Sequence, residues 1–154
     1  MTTIGIPMER KTKEGRIALT PYAAAELVAA GHEVFIETKA GELSGFYDEE
    51  YLKAGCKIAL DQASLYASAD LIVKVKEPIE QEYNLMQPEQ ILFTFLHLAA
   101  DEKLTKILVD KNISSIAYET VETDDNQLPL LKPMSEVAGR LSVQVGSWCL
   151  EKPQ

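Results

Sequence analysis

Ten residues, Ile91-Leu92-Phe93-Thr94-Phe95-Leu96-His97-Leu98-Ala99-Ala100, constrain this chain more than any other stretch. An apolar run of strand length surrounds a single imidazole, and Asp101 follows as a helix cap. That pattern reads as a buried strand that runs out into the start of a helix. In an open parallel sheet, ligands bind beyond the carboxyl ends of the strands, which puts the segment after Phe95 in the reactive position. His97 is therefore the first candidate for chemistry. The competing role is a hydrogen-bonded core histidine.

The remaining segments repeat the same alternation. Thr3 to Pro7 reads as a first strand, followed by a polar loop through Arg16. Thr20-Pro21 opens a helix, with Thr as the cap and Pro in the first helical position, and Gly31 closes it. Glu33 to Thr38 is a second strand, and Asp48 is expected to cap a helix ending near Gly55. Lys57 to Ala59 is a third strand, Asp61 to Ala67 a short helix, and Leu71 to Val73 a fourth strand, which Pro78 is expected to terminate. A helix over Glu80 to Leu85 leads to the His97 strand. Asp101 to Lys111 is an amphipathic helix, and Ser115 to Tyr118 a sixth strand. A turn at Asp124 to Asn126 and an extended Leu128 to Pro133 precede a helix from Ser135 to about Leu150.

Strands alternating with helices predict an α/β fold, a parallel helix-flanked sheet of about five to seven strands with right-handed crossovers. On that sheet Arg16, Lys76, His97 and Glu119 each follow the carboxyl end of a different strand. Groups far apart in sequence thus converge on one rim.

Composition excludes several classes of function. A chain of 154 residues with 46% hydrophobic and 25% charged residues suits one globular domain. Its net charge of −9 argues against nucleic acid or an anionic membrane surface as a partner. Any anionic ligand must then be met by a local cluster of cations. The longest apolar run is too short to span a membrane, and Met1 to Pro7 lacks the features of a signal peptide. Cys56 and Cys149 show no metal-ligand spacing and read as two buried cytosolic thiols. Gly41-Glu42-Leu43-Ser44-Gly45 has neither the spacing nor the following helix of a dinucleotide-binding turn. No metal and no dinucleotide is expected on this chain.

The rim groups suggest a chemistry. Arg16 offers a planar, permanently charged fork for a carboxylate, or else a solvated surface charge. Lys76 would emerge at the rim between a buried strand and Pro78; a structural ion pair with Glu77 is its competing role. Two cations and an imidazole would suit a small 2-amino or 2-oxo acid, the imidazole moving the proton. Glu119 could orient a cation or act as a surface carboxylate. Met134 could cover a small side chain or fill core space.

Several motifs carry a resemblance. Ile4-Gly5-Ile6-Pro7-x-Glu9, Glu14-x-Arg16-Ile17-Ala18-x-Thr20-Pro21, Lys74-Val75-Lys76-Glu77-Pro78, Phe95-Leu96-His97-Leu98-Ala99, Ala117-Tyr118-Glu119-Thr120 and Pro133-Met134-Ser135-Glu136-Val137-Ala138-Gly139-Arg140 cover the chain nearly end to end. Together they resemble the N-terminal domain of the alanine dehydrogenases, homologous to the transhydrogenase alpha subunit. The transhydrogenase branch has no His at the place of His97, which points to alanine dehydrogenase.

The resemblance implies NAD-linked oxidative deamination of L-alanine to pyruvate and ammonia. The two thiols read as cytoplasmic, and the apolar face of the last helix, with Val137, Ala138, Leu141, Val145, Trp148, Cys149 and Leu150, predicts self-association as a homo-oligomer. It implies that Arg16 and Lys76 bind the substrate carboxylate and carbonyl, that His97 is the acid/base, and that Met134 lines the pocket. Residues 1–134 would form the substrate-binding domain, and 135–154 the start of a helix leading to a Rossmann domain that this chain lacks. A truncated chain inactive alone is the resulting expectation. Two alternatives stand beside it: a non-enzymatic small-molecule-binding or interaction module, or a relative of the transhydrogenase alpha subunit.

Overall fold

The computed structural model describes Met1–Lys152. The strands are β1 (Thr3–Ile6), β2 (Glu33–Glu37), β3 (Lys57–Ala59), β4 (Leu71–Val73), β5 (Ile91–Thr94) and β6 (Ser114–Ala117). The helices are α1 (Pro21–Ala29), α2 (Asp48–Lys53), α3 (Gln62–Ser68), α4 (Glu102–Asp110) and α5 (Lys132–Cys149). The chain divides into two compact units, one from Met1 to Ala117 and a second from Tyr118 onward.

The first unit is a six-stranded sheet in the order β3-β2-β1-β4-β5-β6, with every pairing parallel. Parallel neighbours need a crossover between them, and the helices supply it. Strand alternation then sorts the apolar side chains onto two faces. Ile4, Ile6, Val34, Ile36 and Val73 pack with Ala24 of α1 and Tyr51 of α2 on one side. Ile72 and Leu92 pack with Leu65 and Tyr66 of α3 and Leu104 and Leu108 of α4 on the other. Each fully buried aliphatic side chain contributes about 1.5–3 kcal/mol. Gly5 lets α3 lie close on the sheet: a Cβ there would stand 2.8 Å from Leu65 Cδ2 and 2.9 Å from Ala69 Cβ.

Local chemistry sets most element ends where the sequence places them. Thr20 Oγ1 accepts the Ala23 N–H at 3.3 Å, with Pro21 next in the chain. Asp61 accepts from Ser64 N at 2.7 Å and Asp101 from Leu104 N at 2.8 Å, capping α3 and α4.

Five expectations are corrected. Cys56 is buried but Cys149 is exposed, because it ends α5, a helix with no buried side chain. Tyr47, not Asp48, caps α2; the Asp48 carboxylate instead reaches back to Thr38 Oγ1 and Lys39 N, both at 2.8 Å. Glu80 to Leu85 forms successive turns rather than a helix, because the Glu82 side chain folds inward and accepts the Ile79 N–H at 2.9 Å. β4 ends at Val73, well short of Pro78, because the Val75 N–H leaves the ladder for Glu9 Oε1 at 2.6 Å. α5 begins at Lys132 rather than Ser135; Leu128 to Leu131 form a turn that feeds it, and Pro133 in its first turn has no N–H to leave unpaired. The second unit also contains the expected turn, closed by Asn126 N to Thr123 O at 2.9 Å.

Candidate functional site

β1 and β4 are neighbours in the sheet, yet β1 leads to β2 on one side and β4 to β5 on the other. Their connections diverge, and that divergence is where an open α/β sheet leaves a ligand-binding crevice. Three connections border it: Pro7–Thr20 after β1, Lys74–Gln90 after β4, and Phe95–Asp101 after β5.

Under the rim lies a buried polar network that the sequence reading missed. Lys74 is fully buried, as are Glu82 and most of Glu9. The Lys74 Nζ lies 2.8 Å from Glu82 Oε1 and 3.3 Å from Glu9 Oε2. Glu82 Oε1 also accepts from Gln62 Nε2 at 2.8 Å and from the Tyr66 hydroxyl at 3.2 Å. Burial raises the Glu9 carboxyl above the usual glutamate range, against the pull of Lys74. Burial and the Glu82 carboxylate together push the Tyr66 hydroxyl far upward. One signal in the sequence could have found the network. A strand covered on both faces has no exposed side, so a Lys directly after Leu71-Ile72-Val73 must be buried and must bring a partner.

The expected site residues of the first unit lie on the connections that follow β1, β4 and β5. Arg16 is forked onto Glu14, donating from Nε to Oε1 at 2.8 Å and from Nη2 to Oε2 at 2.6 Å. Hydrogen bonds from Arg16 hold the Glu14 carboxyl below its ordinary value, and the charge of Lys76 adds to the effect. Arg16, Glu14 and Lys76 therefore share one field. Lys76 is half-buried. The carboxylate beside it in sequence, Glu77, pairs with Lys11 and His97. His97 has left-handed backbone angles, φ 51 and ψ 35, and opens a short 3-10 turn over Leu98–Ala100. Its side chain is 54% exposed, with Nδ1 3.6 Å from Glu77 Oε2 and the Phe95 ring at 6.2 Å between centroids. Glu14 is thus forked onto Arg16 and feels the charge of Lys76, and Glu77 is paired with Lys11 and His97. A cavity of about 160 Å³ borders Arg16, Glu14, Glu9, Met8 and Leu43; neither Lys76 nor His97 lines it.

Glu119 and Met134 belong to the second unit. Glu119 sits in a 3-10 turn over Tyr118–Thr120, and Met134 in the first turn of α5. Both are partly buried.

The strand order is one that dinucleotide-binding domains use. Such a domain has a short glycine-rich turn from β1 into α1 and an acidic residue at the end of β2 facing the ribose. Here Pro7–Thr20, with no such glycine run, connects β1 to α1. Glu37, at the end of β2, is 3% exposed. Its carboxylate already accepts the Met8 N–H at 2.8 Å and pairs with Arg10. These residues do not fit a dinucleotide. Among the described residues, no three His, Cys, Asp or Glu side chains group as a metal site.

The family profile described as alanine dehydrogenase/PNT, N-terminal domain, matches residues 5–138. The chain belongs to that family. It is 50% identical to an alanine dehydrogenase of Methanococcus maripaludis over 98% of its length, and 52% identical to one of Geobacillus stearothermophilus over 97%. In each case it spans about 40% of the relative. A solved L-alanine dehydrogenase superposes with a TM-score of 0.90 at 51% identity, covering 94% of this chain and 40% of that one. A transhydrogenase from Sinorhizobium meliloti superposes at 0.71 with 26% identity, covering 76% of this chain and 35% of its own. Sequence identity to that alanine dehydrogenase is thus about twice that to the transhydrogenase. Among the described residues, no helix is long and apolar enough to cross a membrane.

Proposed function

We propose that this alanine dehydrogenase N-terminal domain binds the small acid of an L-alanine–pyruvate couple in the crevice between β1 and β4. Arg16 takes the carboxylate, Lys76 the carbonyl or amine, and His97 moves the proton. One observation supports this reading: on a chain of net charge −9, the Glu14 carboxylate is forked onto Arg16 and feels the charge of Lys76, while Glu77, next to Lys76 in sequence, pairs with His97.

The chemistry follows from the groups. Arg16 has five N–H donors and Glu14 engages two of them through its side chain, so a ligand carboxylate either displaces Glu14 or uses other donors. Lys76 beside a carbonyl oxygen would stabilise negative charge developing there. Binding by two cations at an open rim is weak, because the ligand stays in contact with water. NAD is the hydride acceptor that the family implies. The described residues of this chain do not fit it. We place the protein in the cytoplasm as a homo-oligomer; the unpaired thiols of Cys56 and Cys149 support a reducing compartment.

The test is a two-dimensional NMR titration of the purified chain with pyruvate. The expected result is saturable shifts at millimolar ligand for amides of 14–17, 74–77 and 95–98, lost in Arg16→Ala and Lys76→Ala. Shifts that spread over the surface, or survive both substitutions, would overturn the assignment. With alanine and NAD the chain alone is expected to form no NADH; robust turnover would contradict the poor fit to a dinucleotide.

A further inference from the structure

Glu77 has a geometry that its neighbours over-determine. Its two oxygens have different surroundings. Oε1 pairs with Lys11, whose ammonium can only donate. Oε2 is buried and has no hydrogen-bond partner, with His97 Nδ1 at 3.6 Å. The backbone on either side is fixed. The Val75 N–H is held by Glu9, two residues before, and Pro78 directly after keeps Glu77 out of the helical region. His97 is positioned too, in the left-handed region that His tolerates better than most side chains.

A buried carboxylate oxygen without a donor, facing an imidazole nitrogen, calls for a hydrogen on that nitrogen. A spacing of 3.6 Å is an ion-pair distance rather than a hydrogen bond, and a small rotation of the ring closes it. Site hydrogen bonds of this kind are often long until a ligand is bound. We propose that Glu77 is a positioning residue for His97: it fixes the neutral imidazole as the Nδ1–H tautomer and leaves Nε2 as the nitrogen that exchanges a proton with substrate. The inference rests on the reading of His97 as the acid/base group. It adds which nitrogen reacts and what decides it, by the logic through which a carboxylate orients an imidazole in other acid/base sites.

The tautomer is directly observable in this chain. It has two histidines, His32 and His97, so His32→Asn assigns the signals. Two-bond proton–nitrogen correlation spectra distinguish the tautomers at a pH where both imidazoles are neutral. The expected result for the unsubstituted chain is His97 protonated on Nδ1. In Glu77→Ala that preference is lost, and the Nε2–H form of His97 gains population. In Lys11→Ala, which leaves Glu77 in place, it is kept. Nε2–H in the unsubstituted chain, or an unchanged tautomer in Glu77→Ala, would overturn the proposal. The first of these readings needs no variant, so a folding defect cannot mask it. Neither depends on pyruvate binding, so a failed titration and a failed tautomer test remain separate results.

Discussion

Val75 donates its backbone N–H to Oε1 of Glu9 at 2.6 Å, across 66 positions of sequence. That single bond joins the connection after β1 to the one after β4 at the point where their directions diverge. It also diverts a strand N–H from the ladder, so the sheet ends there and the segment carrying Lys76 and Glu77 begins.

The bond has a consequence for pH. Burial raises the Glu9 carboxyl above the ordinary glutamate range, so the folded chain holds this proton more tightly than the unfolded chain. Stability is then lost as pH rises from the ordinary range through the raised value. Glu9→Gln removes this titration. The stability of the unsubstituted chain minus that of Glu9→Gln is therefore expected to fall as pH rises from mild acid toward neutrality. Urea midpoints at a series of pH values measure it. A difference that grows with pH would show that Lys74 governs the group instead of burial.

Removing Lys74 should be costly. Lys74→Met leaves Glu9 and Glu82 buried without their cation, and breaking a buried pair in this way costs about 3–5 kcal/mol. Lys76→Met, at a half-buried rim position, should cost less than about 1 kcal/mol. Denaturant unfolding of the two variants side by side decides the matter. Equal losses would mean that the network beneath the rim contributes nothing specific.

A further expectation concerns α5. Val137, Leu141, Val145 and Trp148 recur at helical spacing and are 54%, 48%, 57% and 72% exposed. An apolar stripe of that size promotes association, and a two-fold dimer is the simplest closed arrangement. Light scattering should give a dimer mass at micromolar concentration, reverting to monomer in Val145→Asp combined with Trp148→Asp. A monomer mass for the unsubstituted chain would reject the expectation.

The sequence made the sheet legible because each strand is bounded by chemistry that acts locally. Thr20, Asp61 and Asp101 cap their helices within three residues, and such short-range bonds survive in a one-dimensional reading. The errors came where a side chain acted at a distance. Glu82 abandons a helical pattern to reach Lys74, and Asp48 abandons a cap to reach Thr38. The rim residues His97, Lys76 and Arg16 could be named from their place after strands. Glu77 could not, since its role depends on a fold that brings Lys11 and His97 to its two oxygens.

Complete burial gives Lys74 one more property. Reagents that acylate lysine need a solvated amine, and this one meets none while the centre of the sheet stays closed. Lys76, two positions along and half-buried, is open to the same reagents in the folded chain. The pair is thus a built-in chemical clock. The lag between modification of the second amine and of the first times how often the sheet opens beneath the proposed site.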